Sequence, residues 1–322
     1  MNQLLEPARA GKAAKTGRLR RECGAIRKDF QKNRHLYLMI LPVLAYFVIF
    51  HYWPMYGAQI AFKDFSPGLG ISGSPWVGFK HFKSFFTGIY FGRLVGNTLK
   101  ISLSTLCVGF PAAIILALLL NEIRCNVYKR LVQTVSYLPY FISIMVVCGL
   151  VLDFTSQNGL INDVVELFGG ERVSYMLYPK YFVPVYVASG VWQNIGWNSI
   201  VYLAALAAVD PQLYEAATID GAGKLRQTWS VTLPGILPTI VIMLIMRIGQ
   251  LMNVGFEKII LLYNPNIYET ADVISSFVYR KGLMEFSYSF STAVGLFNSL
   301  INFLLLCTAN FISRKCNETS LW

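Results

Sequence analysis

The sequence predicts an all-α, polytopic membrane protein of about six transmembrane helices, and three observations predict it. Charge is scarce: 14% of the 322 residues are Asp, Glu, Lys or Arg and 55% are hydrophobic, where soluble domains carry roughly 25% charge. A soluble chain of this length would need more charge to cover its surface. Six stretches approach the ~20 mostly apolar residues that cross a hydrocarbon core. Lys and Arg are distributed unequally between the segments that join them.

The six expected spans are residues 36–56, 94–120, 131–152, 183–208, 236–254 and 290–312. They divide the chain into a basic tail (1–35), a membrane domain (36–312) and a short tail (313–322). With the first tail inside, the inner segments 1–35, 121–130, 209–235 and 313–322 hold 17 Lys and Arg, against nine in the longer outer loops. The positive-inside rule therefore places both termini in the cytoplasm. Residues 1–34 alone carry ten Lys or Arg and three acids. That tail could meet nucleic acid or anionic lipid, but no aromatic interleaving or nucleic-acid motif accompanies it, and fixing helix orientation suffices to explain it. The first apolar stretch starts late, at Leu36, and runs into His51-Tyr52-Trp53-Pro54. It offers no small-x-small cleavage site, so it reads as a retained helix.

The six cysteines (23, 107, 125, 148, 307 and 316) form no CxxC pair and all fall in the membrane or on the inner side, as suits free thiols. The three histidines are scattered, and no metal site is expected. In the second outer loop, Leu160, Ile161, Val164, Val165 and Phe168 have the spacing of a short amphipathic surface helix.

The inner segment 209–235 is the informative one. Asp210 is a good N-cap and Pro211 suits the first helical position, while Gly221 and Gly223 can end the helix in a left-handed conformation. A capped helix of about three turns should lie between two spans. Ala216 and Ala217 permit close approach of another surface, and Glu215 and Asp220 offer carboxylates, so the helix suits a groove on a partner. A plain surface connector is the alternative.

Glu215-Ala216-Ala217, then Asp220-Gly221-Ala222, then Leu233-Pro234 with Leu233 18 residues after Glu215, resembles the EAA loop of binding-protein-dependent ABC importer permeases. Softer likenesses point to the carbohydrate and oligosaccharide branch. They are Asn97-Thr98, residues 117–122, Tyr137-Leu138-Pro139, Gly159-Leu160-Ile161-Asn162, and Trp53-Pro54-Met55-Tyr56-Gly57 with Thr228-Trp229. The last two resemble permeases of lipoprotein-type polysaccharide uptake systems. The resemblance implies a type I ABC importer permease fold in a bacterial cell membrane. It also implies a second homologous permease, a cytoplasmic ATPase dimer, an extracellular solute-binding protein and a sugar or oligosaccharide substrate. Glu215, Ala216, Ala217, Asp220 and Gly221, with Leu233 and Pro234, would couple the chain to the ATPase. Amino acids, peptides or polyamines are the alternative substrates.

ATP chemistry is not expected in this chain. Gly221-Ala222-Gly223-Lys224 resembles the end of a phosphate loop, but Leu225 follows the lysine and Thr218 stands where the first glycine belongs. ATP and Mg would sit on the partner ATPase, and this chain would be a non-enzyme without a cofactor. A secondary transporter would need midmembrane acids, and no span holds a clearly central one.

Polar residues within spans mark a candidate pathway. Arg247, Gln250 and Asn253 recur every three residues and would share a helix side, with Arg247 roughly 20 Å along the helix from Leu233-Pro234. Trp192, Asn194, Trp197 and Asn198 cluster in the fourth span, where aromatic faces and amides suit the apolar faces and hydroxyl rims of sugar rings. An interfacial aromatic belt is the alternative for the tryptophans, and an interhelical hydrogen bond or salt bridge for Arg247.

Overall fold

The computed structural model describes residues 32–317 and 320–321. Most of the basic tail, Cys23 and the Cys316 side chain lie outside the described residues. The described chain is helical, and its only extended pairing is an isolated bridge between Lys63 and Trp76. It divides into two units, residues 1–59 and 60–322.

In the first unit, α1 (Arg34–Phe47) is followed by a π turn at Val48–Tyr52. Tyr46, Phe47, Phe50 and His51 make tilted and edge-on ring contacts at this turn. No residue of α1 is buried within its own unit.

The second unit contains the helices that build the site. They are α2 (Phe91–Glu122), α3 (Asn126–Tyr137), α4 (Ile144–Phe154), α5 (Leu160–Leu167), α6 (Pro179–Ala207), α7 (Pro211–Ile219), α8 (Leu233–Ile248), α9 (Phe256–Leu262), α10 (Ile274–Tyr279) and α11 (Tyr288–Asn317). Among the described residues four helices are long and apolar enough to cross a membrane, or five if one bent pair counts as a span. The 29-residue α6 has the length but not the apolarity, because Gln193, Asn194 and Asn198 interrupt it.

The bent pair falls on the expected third span. Residues 131–152 do not form one straight helix: the chain bends by 100° between Asn126–Phe141 and Ile144–Phe154. The cause is local. Leu138-Pro139 tightens the backbone into a 3₁₀ turn, Ile142 and Ser143 are extended, and the Ser143 hydroxyl accepts from Val146 N to restart the helix.

The fifth span also ends early. Helix α8 stops at Ile248, and the chain continues as turns over residues 249–252 and as irregular backbone over 253–254. The freed backbone is satisfied from α11: Asn302 Oδ1 accepts from Met252 N at 2.9 Å. Asn298 and Asn302 both donate to Asn253 Oδ1 at 3.0 Å. At its start, α8 is continuous with a helical stretch beginning at Lys224, through a π turn at Thr228–Thr232. Pro234 has no N–H to donate back along this helix, and a widened turn before it accommodates that loss.

Helices α2 and α6 pack most extensively. One end of their contact is a small-residue seam of Ala113 and Ala117 against Tyr202, Leu206 and Ile236 of α8. The other end is a core of Ile101, Phe182, Val183 and Tyr186 that takes in Cys148 of α4 and Ile259 and Leu262 of α9. Helix α3 crosses α6 at Gly196, where an added Cβ would lie 2.1 Å from the Ser136 carbonyl oxygen. That neighbour is backbone and cannot turn away. Gly196→Ala is therefore expected to cost about 1–3 kcal/mol by overpacking, read as a lowered melting temperature of the purified complex. An unchanged melt would show that the crossing is loose.

Helix α5 forms where the amphipathic pattern placed it. Its entrance is held by Asn162, which is fully buried: Nδ2 donates to Ser156 O and Val173 O, and Oδ1 accepts from Val173 N. A Cβ on Gly159 would meet Asp153 O at 2.2 Å. The Gly-Leu-Ile-Asn run thus has a local structural reason.

Candidate functional site: a polar cavity and a capped helix

Two features carry the predicted site residues. The first is α7. Asp210 caps it, accepting from Gln212 N at 2.9 Å through its side chain. At the other end Gly221 takes φ +75°. Gly221 N donates to Thr218 O at 3.0 Å and Ala222 N to Ala217 O at 2.9 Å, the double closure of a left-handed helix stop. A polar clamp holds the loop shut. The buried Gln227 donates through Nε2 to Thr218 Oγ1 at 3.0 Å and to Ala222 O at 2.9 Å. Tyr214 Oη donates to Thr232 Oγ1 at 3.1 Å, and Lys224 pairs with Glu122 at the end of α2, 3.3 Å away.

The consequence is a rigid helix with a free outer face. Glu215, Ala216, Asp220 and Gly221 are exposed, Ala217 is half-buried against the turn, and Leu233 is half-buried while Pro234 is exposed. Ile219, Leu225 and Trp229 add large exposed apolar surface beside them. Carboxylates, small residues and apolar side chains on one presented surface are the composition of a docking element.

The second feature is a cavity of about 890 Å³ between α2, α6, α8 and the segment leading into α9. Arg247, Gln250, Asn253, Asn194 and Asn198 all line it. The expected shared helix side is not what joins the first three. Only Arg247 belongs to α8; Gln250 and Asn253 reach the wall from the turns after it. Arg247 Nη2 donates to Asn198 Oδ1 at 2.9 Å, so the interhelical hydrogen bond and the cavity position occur together. Asn194 Nδ2 donates to Gly190 O at 2.9 Å.

The two tryptophans separate. Trp197 stacks on Tyr140, with centroids 4.4 Å apart and planes 3° from parallel, and it is Tyr140 that lines the cavity. Trp192 is 47% exposed and does not belong to the lining. Sequence reading missed Tyr140, Tyr186, Tyr202, Glu257 and Lys258 of the wall. The tyrosines lie among many aromatics of apolar spans, and the two charges come from a stretch that reads as an outer loop.

A helical membrane protein with a polar, aromatic-walled cavity inside the bundle and a capped, exposed helix between two of its long helices has the parts of a transport permease. The chain belongs to the family of binding-protein-dependent transport system inner membrane components, whose model matches residues 109–317. It is 45% identical over 292 residues to the polygalacturonan/rhamnogalacturonan transport system permease protein YteP of Bacillus subtilis, covering 90% of this chain and 91% of that protein. It is 45% identical over 293 residues to Protein LplB of the same organism, covering 91% and 92%. Among solved structures it resembles a chain of a bacterial ABC transporter involved in the import of the acidic polysaccharide alginate. The TM-score there is 0.85 at 43% identity, covering 91% of this chain and 99% of that one. The same likeness holds to that transporter in complex with an alginate pentasaccharide-bound periplasmic protein. The fold is that of a type I ABC importer permease, and the chain is a multi-pass component of the bacterial inner membrane.

Proposed function

We propose that this chain forms one half of the translocation pathway of an ATP-driven importer for a saccharide, handed over by an external solute-binding protein. The observation that carries the reading is the cavity. Its wall combines tyrosine faces with the amides of Asn194, Asn198 and Gln250, and its volume lies in the range that encloses small-molecule ligands. Sugar rings need both surfaces at once: an apolar face for C–H stacking and hydrogen-bonding groups for the hydroxyls. The relatives that carry polygalacturonan, rhamnogalacturonan and alginate support the same class.

The exposed face of α7, with Glu215, Ala216, Ala217, Asp220 and Gly221, docks on a separate cytoplasmic ATPase that holds the ATP and Mg. Leu233 and Pro234 carry that contact into α8. A second, homologous permease completes the pathway, and both termini of this chain face the cytoplasm. Trp197 acts by holding Tyr140 against the cavity, whereas Trp192 has the exposure of an interfacial residue.

Alanine at Arg247, Gln250 or Asn253 tests the pathway. Each should lower oligosaccharide uptake by about tenfold, the loss of roughly one hydrogen bond to a charged or polar partner, while the subunits still co-purify. Unaltered uptake in all three would refute the pathway assignment.

A further inference from the structure

Two cations in the cavity wall have no ion-pair partner among the described residues, and the more deeply buried is Lys258. Lys258, in the first turn of α9, is 6% exposed. Its Nζ donates to Tyr186 O at 2.9 Å and lies 4.6 Å from the Tyr186 ring centroid. A carbonyl and an aromatic face are its protein partners; no carboxylate among the described residues pairs with it. Gly190 leaves room for the group, since a Cβ there would stand 3.2 Å from Nζ. A buried ammonium is costly unless an anion meets it. The cavity wall holds three charged residues, Arg247, Glu257 and Lys258, so its net charge is positive. Arg247 is likewise held by a neutral group, Asn198. Both cations line the same cavity, and neither forms an ion pair that would occupy it.

We propose that Lys258, with Arg247, recognises the carboxylate of an acidic saccharide, so that this permease itself selects uronate-type chains over neutral ones. This rests on the saccharide reading above and adds a substrate charge to it. A guanidinium and an ammonium in one cavity pair with successive carboxylates along an acidic chain through charge-assisted hydrogen bonds, which are about twice as strong as neutral ones. Tyrosine faces then hold the rings between them.

The test uses the whole importer, permeases with ATPase, in lipid nanodiscs without the binding protein. Direct binding of trigalacturonate is compared with that of its methyl ester by titration calorimetry. The wild type should prefer the acid by about tenfold. Lys258→Gln should erase that preference and Lys258→Arg should keep it. Glu257→Gln changes an exposed wall residue with little risk to folding; it removes the repelling carboxylate and should strengthen acid binding several-fold. Equal affinity of the wild type for acid and ester overturns charge selection and leaves the saccharide pathway standing. An equal loss of both ligands in Lys258→Gln, with no gain in Glu257→Gln, reduces Lys258 to a structural role and also overturns it. Binding of neither ligand by the wild type overturns this inference and the saccharide reading together.

Discussion

Gly221→Pro is expected to lower substrate-stimulated ATP hydrolysis and uptake by about a hundredfold, equivalent to ~3 kcal/mol, while the protein stays in the membrane. Gly221 stands at φ +75°, and proline is locked near −65°. The substitution also removes the N–H that closes the turn on Thr218 O. Gln227 bridges Thr218 and Ala222 from both sides of that turn, so a displaced turn breaks the clamp as well. Glu215 and Asp220 then leave the surface on which they are presented. The allelic series separates backbone from side chain. Gly221→Ala meets no atom within 4 Å and carries only the left-handed penalty of about 1–2 kcal/mol; Gly221→Asn, tolerant of that region, should be milder still. Glu215→Lys leaves the turn intact and reverses a charge on the presented face, and it should uncouple hydrolysis nearly as well. The readouts are ATPase rate with loaded binding protein, uptake, and the amount of permease in the membrane. Normal stimulation in both Gly221→Pro and Glu215→Lys would sink the docking assignment.

That turn was legible in the sequence because its determinants are local. An Asx cap, a proline at the first helical position and a glycine at the stop each act within a few residues, and the structure forms them where the pattern places them. Hydropathy was similarly direct for the helices Phe91–Glu122 and Tyr288–Lys315. It failed where the chain breaks inside an apolar stretch. Nothing in the hydropathy of residues 131–152 distinguishes a straight span from two helices meeting at 100°, since proline occurs both within spans and at their ends. The three-residue spacing of Arg247, Gln250 and Asn253 implies one helix side, which the structure does not keep. Arg247, Gln250 and Asn253 meet in one cavity because α8 ends and Asn302 of α11 holds the following turn, which is a contact across 50 residues. Lys258 was invisible for the same reason: its environment is made by Tyr186, 72 residues away.

A further non-local feature is the knot around Asp272, and Asp272→Ala is expected to destabilise the folded subunit by about 3–5 kcal/mol. Asp272 is fully buried. Arg280 Nη2 donates to both its carboxylate oxygens at 2.8 Å, Arg93 Nη2 to one at 3.3 Å, and Ser276 Oγ to the other at 2.8 Å. The backbone is tied to α2 in parallel: Asn97 Nδ2 donates to Asp272 O at 2.9 Å, and Thr98 Oγ1 accepts from Ile274 N at 3.1 Å. One carboxylate therefore bridges two guanidiniums and pins the start of α2 to the segment before α10. Arg93 Nε and Arg280 Nη1 are already buried without a hydrogen-bond partner, so the site has little capacity to absorb a further loss. Removing the carboxylate leaves two cations without their shared counter-charge, while Arg280 keeps its contacts with the rings of Tyr268 and Phe277, 5.1 and 6.0 Å away, and with Tyr263. Replacing one partner of a buried pair costs more than replacing both. Asp272→Ala combined with Arg280→Met should thus be more stable than the sum of the single changes, with a coupling of about 2 kcal/mol. Thermal melts of the four proteins in one detergent measure it. Strict additivity would mean that Asp272 and Arg280 act independently, and the knot would then be a set of neighbours rather than a lock.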